Sequence, residues 1–164
     1  MSIAWPSLLT GDAAAVRLIT LGASPDTVAA GARGSLVYLA TPYSREVRGR
    51  GGRWSFEKSV LMQCYAAQAA DALHAVGITA ISPIVLAAAM VQSREGRGVD
   101  PLDRAAWTAW CRPMLHACSA LVVPDVPGWQ RSEGVHAEVA WALSTNRKVF
   151  VYAGAVSYTH LTLP

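Results

Sequence analysis

The segment PGWQRSEGVHAEVAWA, residues 127–142, joins a Gly/Ser turn to a helix whose second turn carries one carboxylate, Glu138, and that combination could do chemistry. Around Ser132, Gly134 and Val135, free backbone N–H groups and the positive end of the helix dipole favour an anion. Glu138 brings its carboxylate to the place where an α/β sheet keeps its ligand. Just before the segment lies a short apolar run, Ala120–Pro124, that reads as a strand, and open α/β sheets bind ligands at their strand ends. His136, two residues from Glu138, falls on roughly the opposite helix face and is expected at the surface.

Other candidates sit at the ends of other strands. Thr41-Pro42-Tyr43-Ser44 follows the apolar run Ser35–Ala40, and Ser82-Pro83 follows Ile78–Ile81. Tyr43 is open to two readings, a turn aromatic covering the core or a wall of the site. The glycine-rich loop 45–53 carries Arg45, Arg48, Arg50 and Arg53 but has neither the Walker spacing nor a dinucleotide fingerprint. It is either a lid whose arginines reach an anionic ligand or a solvated loop. The basic group matches one phosphate better than a nucleic-acid polymer, for which no helix-turn-helix, zinc or aromatic-platform pattern is present. No spacing of Cys, His and carboxylate suits a metal, so none is expected. Trp107 and Trp110 suit the core, with a pocket wall as the alternative.

Elements that would position these residues follow from apolar periodicity. Four strands are expected, at Ser35–Ala40, Ile78–Ile81, Ala120–Pro124 and Lys148–Tyr152. Helices are expected at Ser55–Val76, Ile84–Val91, Pro101–Cys118 and Glu133–Leu143, with Asp100 as the cap of the third and Pro113 kinking or dividing it. Alternation of this kind predicts an α/β fold, a doubly wound parallel sheet of four to five strands with helices on both faces. Residues 1–33 read as a helical extension packed outside the core, with helices at Asp12–Leu21 and Pro25–Ala32, and residues 34–154 as the α/β domain. The last residues, 155–164, change character abruptly and read as a non-native tail in which His160 has no function.

Composition sets limits on all of this. At 164 residues the chain makes one domain able to bury roughly two-thirds of its unfolded surface. Apolar residues make up 52% and charged ones 15%, which argues against disorder. No apolar run reaches the ~18–20 residues of a spanning helix, and no signal-peptide pattern opens the chain, so the expectation is a cytoplasmic protein without a membrane partner. Of the three cysteines, Cys111 and Cys118 lie two helical turns apart, roughly 10 Å, too far for a disulfide.

Taken in order, VYLATPYS at 37–44, SPI at 82–84 and the 127–142 segment resemble the nucleoside 2-deoxyribosyltransferase superfamily, most closely a branch with PGW-x-x-S-x-G-V-x-x-E-x-x-x-A. The resemblance spans roughly residues 35–152. It implies a flavodoxin-like fold, no cofactor, a homodimer or higher homo-oligomer, and cleavage of an N-glycosidic bond. Glu138 matches the family's nucleophile. Ser132 matches the position that holds a 5′-phosphate in nucleotide-hydrolysing relatives and is Asp, holding a 5′-hydroxyl, in base-exchanging ones. The implied substrate is a nucleoside or deoxynucleoside 5′-monophosphate, contacted by Tyr38, Thr41, Pro42, Tyr43, Ser82, Trp129, Ser132, Gly134 and Val135. Cys111 occupies the place of the family's second acid, and Ser119 replaces another Asp. Asp103 and Asp125 are substitutes for the missing acid, Asp125 the better placed. Two other readings stand beside the enzyme: a nucleotide-binding protein that has lost catalysis, and an ordinary α/β domain in which Glu138 is a surface residue.

Overall fold

The computed structural model describes Trp5, residues 16–94 and residues 98–152. Five short strands, β1 (Ile19–Leu21), β2 (Leu36–Leu39), β3 (Thr79–Ile81), β4 (Ala120–Val123) and β5 (Lys148–Val151), form one parallel sheet in the order β1-β5-β4-β2-β3. Successive side chains on a strand point to opposite faces, and the apolar runs therefore feed two cores. Tyr38, Leu121, Val123, Val149 and Val151 face one side, while Val37, Leu39, Ala120, Val122 and Phe150 face the other.

Helices cover both faces. α1 (Pro25–Ala32) and α2 (Phe56–Ala75) bury Val28, Ala32 and Leu73 against the second face. α3 (Pro83–Gln92) packs along α2. α4 (Arg104–Ala117) and α5 (Glu133–Ser144) lie against the first face, where α5 buries Val135, Val139 and Ala142 at helical spacing. The fold is the doubly wound α/β arrangement expected from the alternation. Among the described residues no helix is long and apolar enough to cross a membrane.

Three local expectations are corrected. Ile19–Leu21, read as the end of a helix, is the edge strand β1, paired in register with Val149–Val151, so these three residues complete the sheet instead of packing outside it. The pairing is long-range, and three β-prone residues carry little local signal of it. The earlier part of the expected Asp12–Leu21 helix and the 155–164 tail, with His160, lie outside the described residues. Asp103, not Asp100, caps α4: its carboxylate accepts from Ala106 N at 3.1 Å, while Asp100 accepts from Leu102 N in the preceding turn. Pro113 does not divide α4, because both it and Ala109, whose carbonyl loses the i+4 donor, face solvent.

Strand order decides where a ligand can sit. From β2 the chain moves outward to β3, then returns past β2 to β4 on its other side. A crevice opens where neighbouring connections diverge, at the carboxyl ends of β2 and β4. These ends lead into Thr41–Tyr43 and into the turn before α5.

Candidate active site

At this switch point lies a cavity of about 750 Å³, within the range of small-molecule sites. The loop after β2 (Thr41, Tyr43, Arg45, Arg48), α3 (Ile84, Ala87, Val91), the start of α5, and one face of α4 with the turn before it build it. On α5 the core takes Val135, Val139 and Ala142. Gly134, Ala137, Glu138 and Trp141 occupy the adjoining face and line the cavity. Glu138 thus owes its direction to the apolar residues of the same helix.

Ser132 caps α5 through Oγ, which accepts from Val135 N at 3.3 Å. The amides of Glu133 and Gly134, at the first two helical positions, have no intrahelical acceptor and border the cavity. Gly128 shapes the entry to this turn. Its φ of 90° is left-handed, a conformation that calls for glycine.

The Glu138 carboxylate accepts a 2.6 Å hydrogen bond from the Tyr38 hydroxyl, which rises from β2 beneath it. Burial pushes Glu138 up from an ordinary 4.5 to about 7, and the Tyr38 hydrogen bond offsets part of that rise. Cys111 on α4 interacts with both groups. Burial, then the charge of Glu138, pushes its thiol up to about 11, so it stays protonated. Tyr38 is driven well above the usual phenol range by burial first and then by Glu138. Only Glu138 of the three changes charge near neutrality. Replacing Tyr38 by Phe removes the bond that holds the carboxylate form, so the Glu138 titration midpoint should rise above about 7. Carbon NMR of the carboxyl group measures this, and an unchanged midpoint would contradict the assigned role of the phenol.

Charge around the cavity is mostly positive. Arg45, Arg48, Arg104, Arg112 and Arg131 line it against two carboxylates, Glu133 and Glu138. Arg104 pairs with Glu133, and Arg131 lies 3.6 Å from Glu46. Arg48 folds back onto the Gly52 carbonyl at 3.0 Å. Thr41 Oγ1 lines the same space and is buried without a hydrogen-bond partner, as a group awaiting a polar ligand atom would be.

Several expected contacts meet here and others do not. Glu138, Ser132, Gly134, Val135, Thr41 and Tyr43 line the cavity. Tyr38 sits behind Glu138, 1% exposed, and supports it instead of touching a ligand. The Tyr43 hydroxyl turns away to Ser59 Oγ at 2.7 Å and Trp54 Nε1 at 3.1 Å, leaving its ring at the wall.

Asp125 does not line the cavity: it is exposed and accepts from Trp129 Nε1 at 3.0 Å. Trp129 is a core residue, fully enclosed against Trp5. Ser82 is spent as the N-cap of α3, bonding Val85 N, and Pro42 is buried beside the strand end outside the cavity lining. His136 packs edge-on to Trp5 instead of facing solvent. Arg50 and Arg53 lie outside the lining, whereas Arg45 and Arg48 reach it.

α4 takes a larger part in the site than its sequence suggests. Arg104, Trp107, Thr108, Cys111, Arg112 and Leu115 recur at spacings of three and four and form the cavity wall, which is why α4 contains no fully buried residue. That stripe was present in the sequence, but it has the appearance of a core face. No group of three or more His, Cys, Asp or Glu side chains able to hold a metal occurs among the described residues.

No curated protein matches this sequence. The model of one family, described as a domain of unknown function (DUF1937), matches residues 35–154, from the start of β2 through β5, and so takes in the loop, helices and strand ends that build the cavity. On that match the chain belongs to the DUF1937 family.

Proposed function

We propose that the protein cleaves the N-glycosidic bond of a nucleoside or deoxynucleoside 5′-monophosphate. The observation that carries this reading is the half-buried Glu138 carboxylate, held by Tyr38 and set about one turn beyond Glu133 and Gly134, whose amides have no acceptor within the helix. Those amides and Ser132 receive the phosphate, with Arg45, Arg112 and Arg131 supplying charge around it. A phosphate held there leaves Glu138 for the sugar's anomeric carbon. Attack by the carboxylate forms a glycosyl ester as the carbon–nitrogen bond breaks, and the departing base takes its proton from solvent. Water then adds its hydroxyl to the anomeric carbon, frees Glu138 and releases a proton.

A second reading has its own support. Beside Glu138 stands the Cys111 thiol, held up to about 11, Asp125 is turned to Trp129 and Glu133 is paired with Arg104, so among the described residues no further acid is free beside Glu138. A protein that holds nucleotides without turning them over fits that arrangement. One experiment separates the two. Purified protein is incubated with a panel of ribo- and deoxyribonucleoside monophosphates, and free base is followed by chromatography alongside calorimetric binding. Base release is the expected outcome. Binding without release selects the second reading, and absence of binding removes both.

A further inference from the structure

Trp5 is 1% exposed, one of the largest fully buried side chains, yet it lies well before residue 35, where the family match begins. Its contacts converge on the turn that leads into α5. The indole Nε1 donates to the Gln130 carbonyl at 2.6 Å. Its ring meets the rings of Trp129 and His136 edge-on, each with centroids 5.2 Å apart. Trp129 is itself tied to Asp125. The short helical turn Trp129–Arg131 then passes the chain to Ser132, whose amide donates to the Trp129 carbonyl at 3.2 Å.

The Gln130 carbonyl matters because of its place in the chain. It precedes Gly134 by four residues, the spacing of an α-helical hydrogen bond. Turned along the helix axis, it could draw in the Gly134 amide and lengthen α5 backwards. The amide would then be lost to a ligand. Trp5 ties that carbonyl to its own indole and so fixes its direction; the helix starts at Glu133, and Glu133 and Gly134 border the cavity.

We propose that Trp5 is a positioning residue for this anion cradle: it engages Gln130, seats Trp129 and holds the turn so that the first two amides of α5 face an anionic ligand. The proposal rests on the phosphate role given to the cradle above. It also gives the segment before the family region a task at the site.

Trp5→Phe tests it, keeping most of the packing and deleting the N–H donor. Relative to wild type, the affinity for a nucleoside 5′-monophosphate should fall about fivefold to tenfold, the loss expected for one hydrogen bond's worth of positioning. Affinity for the matching nucleoside, which lacks the phosphate, should stay within about twofold, a split that general loosening of the fold would not give. Amide exchange at Ser132, Val135 and His136, held by the turn and cap, should quicken in the same variant without any ligand present. Unchanged exchange at these three amides overturns the proposal, as does equal loss of nucleotide and nucleoside binding. If wild-type protein binds no nucleotide, the phosphate reading falls, while the exchange rates still decide whether Trp5 holds the turn.

Discussion

Glu138→Gln is expected to abolish base release while making the protein more stable above pH 7. The two effects share one cause. A glutamine keeps an acceptor for the Tyr38 hydroxyl and nearly the same volume, but it cannot form a glycosyl ester, so turnover should fall on the order of 10⁴-fold. In the wild type the carboxyl is pushed up to about 7 in the folded chain from an ordinary 4.5. The folded state therefore binds the proton more tightly than the unfolded state, and wild-type stability declines as pH rises from about 4.5 through about 7. The difference corresponds to on the order of 3 kcal/mol, and the opening toward the cavity lowers what is recovered to about 2 kcal/mol. Glu138→Gln removes that penalty. Melting curves should separate by about 5 °C at pH 8 and converge at pH 4, where the carboxyl is protonated folded or unfolded. In wild type, base release should fade as pH drops through about 7, since the attacking form is the carboxylate. A variant that keeps releasing base, or that melts with wild type at pH 8, would show that this carboxyl is neither the nucleophile nor poorly solvated.

Ser132→Asp is expected to cost about 100-fold or more in affinity for a nucleoside monophosphate, since a fixed carboxylate would then face the phosphate at close range. Ser132 has two tasks, capping α5 through Val135 N and bordering the cavity. Aspartate is as good a cap as serine, so the helix should remain and the melting temperature should change little. Affinity for the nucleoside without its phosphate should hold, because the added charge has no partner to repel. Calorimetry with a matched nucleotide and nucleoside reads both arms. Equal affinities of variant and wild type for the monophosphate would move the anion away from this helix end.

Much of the architecture was legible from alternation and caps. Ser55 precedes a long helix and caps it as expected, whereas Ser82 and Ser132, expected at a ligand, also cap the helices that follow them. The runs at β2, β4 and β5 are apolar on both faces, as strands buried between helix layers must be. Long-range partners were not legible. Nothing local in Ile19–Leu21 tells of pairing with Val149–Val151, and nothing local in Asp125 tells that a tryptophan four residues later will claim it. Trp129 and Tyr38 illustrate a related limit. Both belong to motif segments, yet one fills the core and the other stands behind Glu138, and sequence separates neither from a residue that touches ligand. On α4 the apolar and cationic stripe at 104–115 was visible, but facing a sheet and facing a cavity demand the same periodicity.

The place of β1 at the border of the sheet has a consequence for handling the protein. β5 holds Val149, Phe150 and Val151 between β4 and β1, so a chain trimmed to residues 35–154 would leave that strand with a bare row of amides and carbonyls. Such a border recruits another copy of itself, and the trimmed chain should precipitate or self-associate where the longer one stays dispersed. The three residues of β1 thus act as a selvage, finishing the fabric so that it does not bind to its neighbour.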